Sequence, residues 1–174
     1  MSRYDPDSQK SNWILDAIER YQSSLIAYAE RLLHNHESAK DVVQEAYVKL
    51  CRQDERKIGG YLGPWLYRVV RNQAINLIRK EHRMVHTANP DDVPIPQSSE
   101  SKSGVCASLF ELILTMPEKQ SELLMLKFAD GFSYKEISNI TGMSVSNVGY
   151  TLHHALRELK ARWESQESQT QKEG

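Results

Sequence analysis

The 174-residue chain carries 22 Lys and Arg against 23 Asp and Glu, a formal net charge of −1, with 40% hydrophobic and 26% charged residues. That balance excludes a polycation able to coat nucleic acid unaided, because phosphate neutralisation supplies most non-specific affinity. No apolar run nears the roughly 18 residues of a membrane span, the start of the chain has no signal-peptide pattern, and the two cysteines and six histidines show no metal spacing. A cytosolic protein without membrane contact, disulfide, metal or other cofactor is expected.

Residues 1–12 read as a tail. A first helix is predicted over 13–33, where Ile14, Ile18, Tyr21, Leu25, Tyr28, Ala29 and Leu32 recur at threes and fours. A second opens at Ser38-Ala-Lys-Asp41, with Ser38 as N-cap and Asp41 as its capping-box partner. Its apolar stripe is Val42, Val43, Ala46, Tyr47 and Leu50, and Cys51 is expected to join the core. A turn with Gly59-Gly60 and Gly63-Pro64 leads into a helix over 64–82, Pro64 suiting its first turn. The pattern there buries Trp65, Leu66, Val69, Val70, Leu77 and Ile78 and leaves Arg68, Arg71, Asn72, Asn76 and Arg79 outside. From 61 to 83 five basic residues face one acidic residue, a local net of +4. Arginines there suit phosphates, and an amide at Asn72 suits an unstacked base. Tyr61, ahead of the helix, fits either packing or base stacking.

Composition changes from 84 to 107. Asn89-Pro-Asp-Asp-Val-Pro-Ile-Pro and Ser98-Ser-Glu-Ser-Lys-Ser-Gly104 are too polar to build a core, which predicts a flexible linker with Cys106 near its end. Helical pattern resumes at Ser108 with Leu109, Phe110, Leu112, Ile113 and Met116. Pro117 starts another helix with Leu123, Leu124, Leu126 and Phe128 as its apolar residues, and Gly131 ends it. A short helix over 134–140, a turn at Gly142 and a long helix over 145–163 complete a helix-turn-helix, followed by a tail at 164–174. Ile137 and Ile140 are expected to pack against Val145, Val148, Leu152 and Leu156. Ser144 serves as N-cap, and the amide end it closes can receive a phosphate. Ser146, Asn147, Tyr150, Thr151 and His154 lie outward on the recognition helix, with Arg157 beyond them, giving base-reading and phosphate-holding groups. The fold class is all-α, two small helical domains joined by a linker.

With these residues assembled, the chain resembles the extracytoplasmic-function (ECF, group 4) sigma factors of bacterial RNA polymerase. The resemblance covers about 13–163 and runs in the family's order. A segment like Asp-Ala-Glu-Asp-Leu-Val-Gln-Glu falls at Ser38–Glu45, an aromatic-x-x-x-Trp-Leu at Tyr61–Leu66, then Arg71-Asn72, the linker and the helix-turn-helix. It implies that the first domain (region 2) contacts the β′ clamp helices of core polymerase through Asp41, Val42, Gln44 and Glu45 and opens the −10 element. It implies too that residues 56–63 capture a flipped −10 base, that Asn72 lines that pocket, and that the second domain (region 4) binds the −35 element and the β flap.

Two departures stand out. Ser38-Ala39-Lys40-Asp41 is poorer in acids than the family pattern, which predicts weak intrinsic affinity for core polymerase. By resemblance, control falls to an anti-sigma factor or a Ser/Thr kinase, with Ser38 a candidate phosphosite. Gly149-Tyr150-Thr151 replaces the Lys-Ser-Arg of many relatives, and Gly149 is expected to permit a close approach. The rival reading is a one-component helix-turn-helix regulator, which accounts for 108–163 but not for the arginine face at 61–72. No Gly-rich phosphate loop or nucleophile motif supports an enzyme, and adjacent His153 and His154 cannot face one metal from a helix.

Overall fold

The structure is a computed structural model that describes residues 6–85 and 104–170, and every element among the described residues is helical. Two compact units form, one from the N-terminal elements and one from the C-terminal elements. Residues 86–103, most of the expected linker, lie outside the described residues.

The first unit comprises α1 (Pro6–Leu33), α2 (His36–Leu50), α3 (Glu55–Ile58), a 3-10 turn (Gly59–Tyr61) and α4 (Leu62–Val85). Helices α1, α2 and α4 pack pairwise around one core. From α1 come Trp13, Ala17, Leu25, Tyr28 and Ala29, while Ile14, Ile18, Tyr21 and Leu32 of the expected stripe are only half-buried flanks. From α2 come Ala39, Val42, Val43, Ala46, Tyr47 and Leu50, as its periodicity predicts. From α4 come Leu66, Tyr67, Val70 and Ala74, each removing apolar surface worth about 25 cal/mol per Å². Trp65, expected in that core, is half-buried together with Val69, Leu77 and Ile78. The buried stripe is centred on Tyr67, whose ring lies 4.9 Å from that of Tyr28.

Two local expectations are corrected here. The N-cap of α2 is Asn35, whose side-chain oxygen accepts the Ser38 N–H at 2.9 Å, so Ser38 sits inside the first turn. The chain reverses sharply ahead of it through His34 at φ 52°, which brings the helix start forward to His36. Cys51 is exposed, because α2 ends at Leu50 and the C-cap position turns outward.

The second unit comprises α5 (Gly104–Leu114), α6 (Glu118–Leu124), a π-helical turn (Met125–Ala129), α7 (Tyr134–Thr141) and α8 (Val145–Thr170). Helix α5 begins within the stretch expected to be linker, and Cys106 lies on it. Leu112, Ile113, Met116, Leu123, Leu124, Met125, Leu126 and Phe132 meet Ile137 and Ile140 of α7 and Val148, Leu152, Ala155 and Leu159 of α8 in the core. Arg162 donates to the Thr115 carbonyl at 3.4 Å and to the Glu158 carboxylate at 2.5 Å, fastening α8 to the end of α5.

Phe128 departs from the reading as a core residue, with 61% of its surface exposed. The wider π-turn rotates it outward, closing through the Asp130 N–H to the Met125 carbonyl at 3.0 Å. Leu109, Phe110, Val145 and Leu156 are likewise exposed; the α8 stripe runs through Val148, Leu152, Ala155 and Leu159 instead. Gly131 (φ 77°) closes the π-turn in the left-handed conformation that an L side chain resists.

Candidate nucleic-acid interface

On α4 the residues opposite the core form a continuous row. Arg68, Asn72, Asn76 and Arg79 are all exposed, and spacings of four, four and three put them on one helix face. At about 1.5 Å per residue the row is roughly 17 Å long. Arg71 stands apart, half-buried and already engaged within the protein. Tyr61 is exposed at the end of the 3-10 turn that feeds the helix. Asp54 sets up that approach by capping α3, its carboxylate accepting the Arg56 N–H at 3.1 Å. Gly63 is pressed against Tyr21 of α1: a Cβ on it would come within 3.2 Å of the ring and its hydroxyl. The start of α4 is thereby held against α1, with the exposed Tyr61 immediately before it.

The exposed face of α2 carries acidic side chains. Asp41, Gln44 and Glu45 are exposed, on the side opposite the buried stripe. Val42, expected beside them on the contact surface, is 6% exposed and belongs to the core, since it follows Ala39 by three residues on the buried side. Lys40, the charge that departs from the acidic pattern, pairs with Glu37 at 3.1 Å. Ser38 is half-buried in the same turn. A bridge that the sequence does not signal joins α2 to α4. With its amide nitrogen towards α2, Gln73 donates to the Val42 carbonyl at 2.9 Å and to the Glu45 carboxylate at 3.2 Å, and its oxygen accepts from Lys49 at 2.8 Å.

The second unit holds the helix-turn-helix. Ser133 and Glu136 close the α7 N-terminus reciprocally. The Glu136 carboxylate accepts the Ser133 N–H at 2.8 Å and its hydroxyl at 2.6 Å, while the Ser133 oxygen accepts the Glu136 N–H at 3.3 Å. Those bonds from Ser133, aided by the charge of Lys127, hold the Glu136 carboxyl below the usual range. The α7 C-terminus is Gly142 at φ 75°, and the turn is braced by the Ser138 hydroxyl donating to the Met143 carbonyl at 2.6 Å. Ser144 accepts the Asn147 N–H on its side-chain oxygen at 3.2 Å, and its carbonyl accepts the Val148 N–H at 3.0 Å. It is the cap of the recognition helix, as predicted.

Beyond that cap Ser146, Asn147, Tyr150, His154 and Arg157 are exposed and Thr151 is half-buried. Tyr150, 71% exposed, has its ring 6.4 Å from that of His154, one turn further along the same face. None of these side chains contributes to the buried stripe of α8. Gly149 faces Tyr134, where an added Cβ would meet ring carbons at 3.6 and 3.7 Å, ordinary van der Waals distances. Its lack of a side chain is therefore not forced by crowding within the protein. The sequence reading missed that Tyr134 sits beside this helix, with the Lys127 ammonium 5.5 Å from its ring centroid; the long separation of 127, 134 and 149 hides this arrangement.

Among the described residues no helix is long and apolar enough to cross a membrane, and no group of His, Cys, Asp and Glu is placed to hold a metal. Residues 17–84 match the family described as Sigma-70 region 2, and residues 106–159 that described as Sigma-70, region 4. The chain is 33% identical to the ECF RNA polymerase sigma factor EcfG of Rhodopseudomonas palustris, over 79% of its own length and 78% of that protein. It is 28% identical to the RNA polymerase sigma factor YlaC of Bacillus subtilis, over 84% and 90%. Among solved structures its fold resembles that of the sigma factor RpoE of Bartonella quintana in complex with the anti-sigma factor NepR. That likeness has a TM-score of 0.69 at 23% identity and covers 84% of this chain and 94% of that one.

Proposed function

The chain belongs to the extracytoplasmic-function branch of the sigma-70 family, and on that premise we propose that its two units read the −10 and −35 elements of a promoter for core RNA polymerase. The observation that carries this reading is a division of labour repeated in both units. Each has one helix with a continuous buried stripe and an opposite row of exposed polar or basic side chains: Arg68, Asn72, Asn76 and Arg79 on α4, and Ser146, Asn147, Tyr150 and His154 on α8. In the first unit the arginines hold the −10 backbone, Tyr61 and Asn72 meet an unstacked base, and Asn76 extends the row. Arg71 has a supporting role, since it is engaged within the protein. In the second, Asn147 reads a base edge, Ser144, Ser146, Tyr150 and Thr151 hold backbone or base edges, and His154 and Arg157 continue the surface. A one-component regulator is not favoured, because residues 17–84 match region 2 rather than a ligand-binding domain.

Core polymerase docks on the α2 face of Asp41, Gln44 and Glu45 at its β′ clamp helices, and the β flap meets the second unit. With Lys40 paired to Glu37, the acidic potential presented there is thin, and intrinsic affinity is low. Phosphorylation of Ser38 would add about two negative charges in the first turn of α2, where the helix dipole favours them. An anti-sigma factor is the alternative regulator, supported by the NepR complex of the structurally similar RpoE.

Run-off transcription with purified core polymerase tests the reading. Asn147→Ala should cost about 1–3 kcal/mol at one −35 position. Equal activity across all −35 variants would remove direct readout at that residue. Acidic substitutions at Ser38 and Lys40 should tighten core binding, and unchanged affinity refutes control by charge at this face.

A further inference from the structure

Gln73 is a polar residue where α4 packs on α2, half-buried beside the core residue Ala74 and next in sequence to the exposed Asn72. Its amide makes three bonds to α2: the nitrogen donates to the Val42 carbonyl at 2.9 Å and to the Glu45 carboxylate at 3.2 Å, and the oxygen accepts from the Lys49 ammonium at 2.8 Å. Only this orientation satisfies all three partners, since the reverse sets the amide oxygen against two acceptors and the nitrogen against an ammonium. The bond to the backbone of the buried Val42 anchors the amide, and the two charged side chains take opposite ends of it.

Glu45 and Lys49 are both exposed and stand four residues apart on α2 with the acid first, the arrangement in which a helix ordinarily forms an ion pair. Nearer the start of the same helix Lys40 does close on Glu37, at 3.1 Å. Among the described residues no ion pair joins Glu45 to Lys49, because each is bonded to the Gln73 amide instead. An ionised carboxylate can accept at about four positions, so one bond from a neutral amide leaves Glu45 charged and open to a further donor. We propose that Gln73 is a positioning residue for core docking: by engaging Lys49 it keeps that ammonium off the Glu45 carboxylate and preserves an acid that α2 presents to polymerase. This rests on the reading of α2 as the core-docking face. Helix α4 thereby carries the base-reading row on one side and, on another, the group that sets the charge of the docking face.

The affinity of the full chain for purified core polymerase tests this. Gln73→Leu keeps an apolar stem against α2 and removes both ends of the amide. Lys49 then closes on Glu45, and core affinity should fall about two- to fivefold at low salt, the scale of one exposed ion pair that docking must open. The difference should narrow as salt rises, because exposed charges are screened. In a Lys49→Met background the competing ammonium is gone, and Gln73→Leu should cost no core affinity. A purely structural role for Gln73 would give the same loss in both backgrounds, in step with a lower Tm. Wild-type affinity in Gln73→Leu, or a loss that Lys49→Met does not rescue, overturns the proposal. Glu45→Gln is measured alongside. If it weakens core binding while Gln73→Leu binds normally, the docking reading stands and only the role of Gln73 is wrong. If Glu45→Gln itself binds core like the wild type, docking does not use this carboxylate and the role of Gln73 falls with it.

Discussion

Replacing Asn35 by Ala should destabilise the first unit, whereas replacing Ser38 by Ala should not. The sequence pattern favours Ser38 as the cap of α2, but the structure gives that position to Asn35. Asn35 has extended backbone (φ −145°, ψ 118°), so Ala fits without strain and the perturbation is confined to the lost acceptor. Removing it strands the Ser38 N–H, now bonded at 2.9 Å, at a cost of about 1 kcal/mol, within a range of roughly 0.5–2. Ser38→Ala removes no cap and places a better helix former in the first turn, a gain of up to about 0.5 kcal/mol. For a unit of this size the two variants should differ by roughly 4–8 °C in Tm per kcal/mol. Thermal melts of the full chain in a Trp163→Phe background report this unit alone, since Trp13 and Trp65 both lie in it. Equal loss in both variants, or a neutral Asn35→Ala, would place the helix start at Ser38 and refute the argument. The outcome also bears on regulation. If Ser38 is not the cap, acidic replacement there alters the charge of the α2 face without removing a structural bond.

Three further outcomes are expected. Gly149→Ala should stabilise the second unit by about 1 kcal/mol, because the new methyl meets Tyr134 at ordinary contact distance while helix propensity improves; a lower Tm would mean the ring cannot accommodate it. Ser133→Ala should cost that unit about 1 kcal/mol and weaken its response to acid. Glu136 is held low by Ser133, so its contribution is present at neutral pH and lost as pH falls through its folded-state value; an unchanged acid-unfolding profile in Ser133→Ala would contradict this. Burial pushes the Tyr47 phenol from 10.0 up to about 12, so the neutral form is favoured in the fold and its contribution is complete below pH 10. About 2–3 kcal/mol should then be lost between pH 10 and 12, measured as a falling urea midpoint; Tyr47→Phe should flatten that fall, and an identical decline in the variant would sink the assignment.

The helix-turn-helix was legible in the sequence because its signals are local. Ser144 is within three residues of the amide it caps, and Gly142 marks its left-handed turn by composition alone. The α2 stripe was equally plain, since five apolar residues recur at helical spacing on one face. Other features depend on geometry that periodicity assumes rather than reveals. Phe128 fits a regular α-helix, but the π-turn shifts the phase by one residue and exposes it. On α4 the pattern of large apolar residues drew attention to Trp65, while the core selected Tyr67 and Ala74, a large and a small residue that are both buried. Val42 shows the limit of carrying residues over from a pattern: the segment matched, but this side chain is buried. The Gln73 bridge and the Lys127–Tyr134–Gly149 cluster join residues far apart in sequence, and a single chain offers no signal for either.

The exposed row on early α8 contributes no side chain to the core. Substitutions at Ser146, Asn147, Tyr150 and His154 therefore act on a surface where stability changes are usually within about 0.5 kcal/mol. The buried stripe of Val148, Leu152, Ala155 and Leu159 carries the fold on the opposite side of the same helix. What the protein binds and whether it folds are thus separable for selection: the outward residues can drift, one at a time, towards a new target sequence without first acquiring compensating changes in the interior.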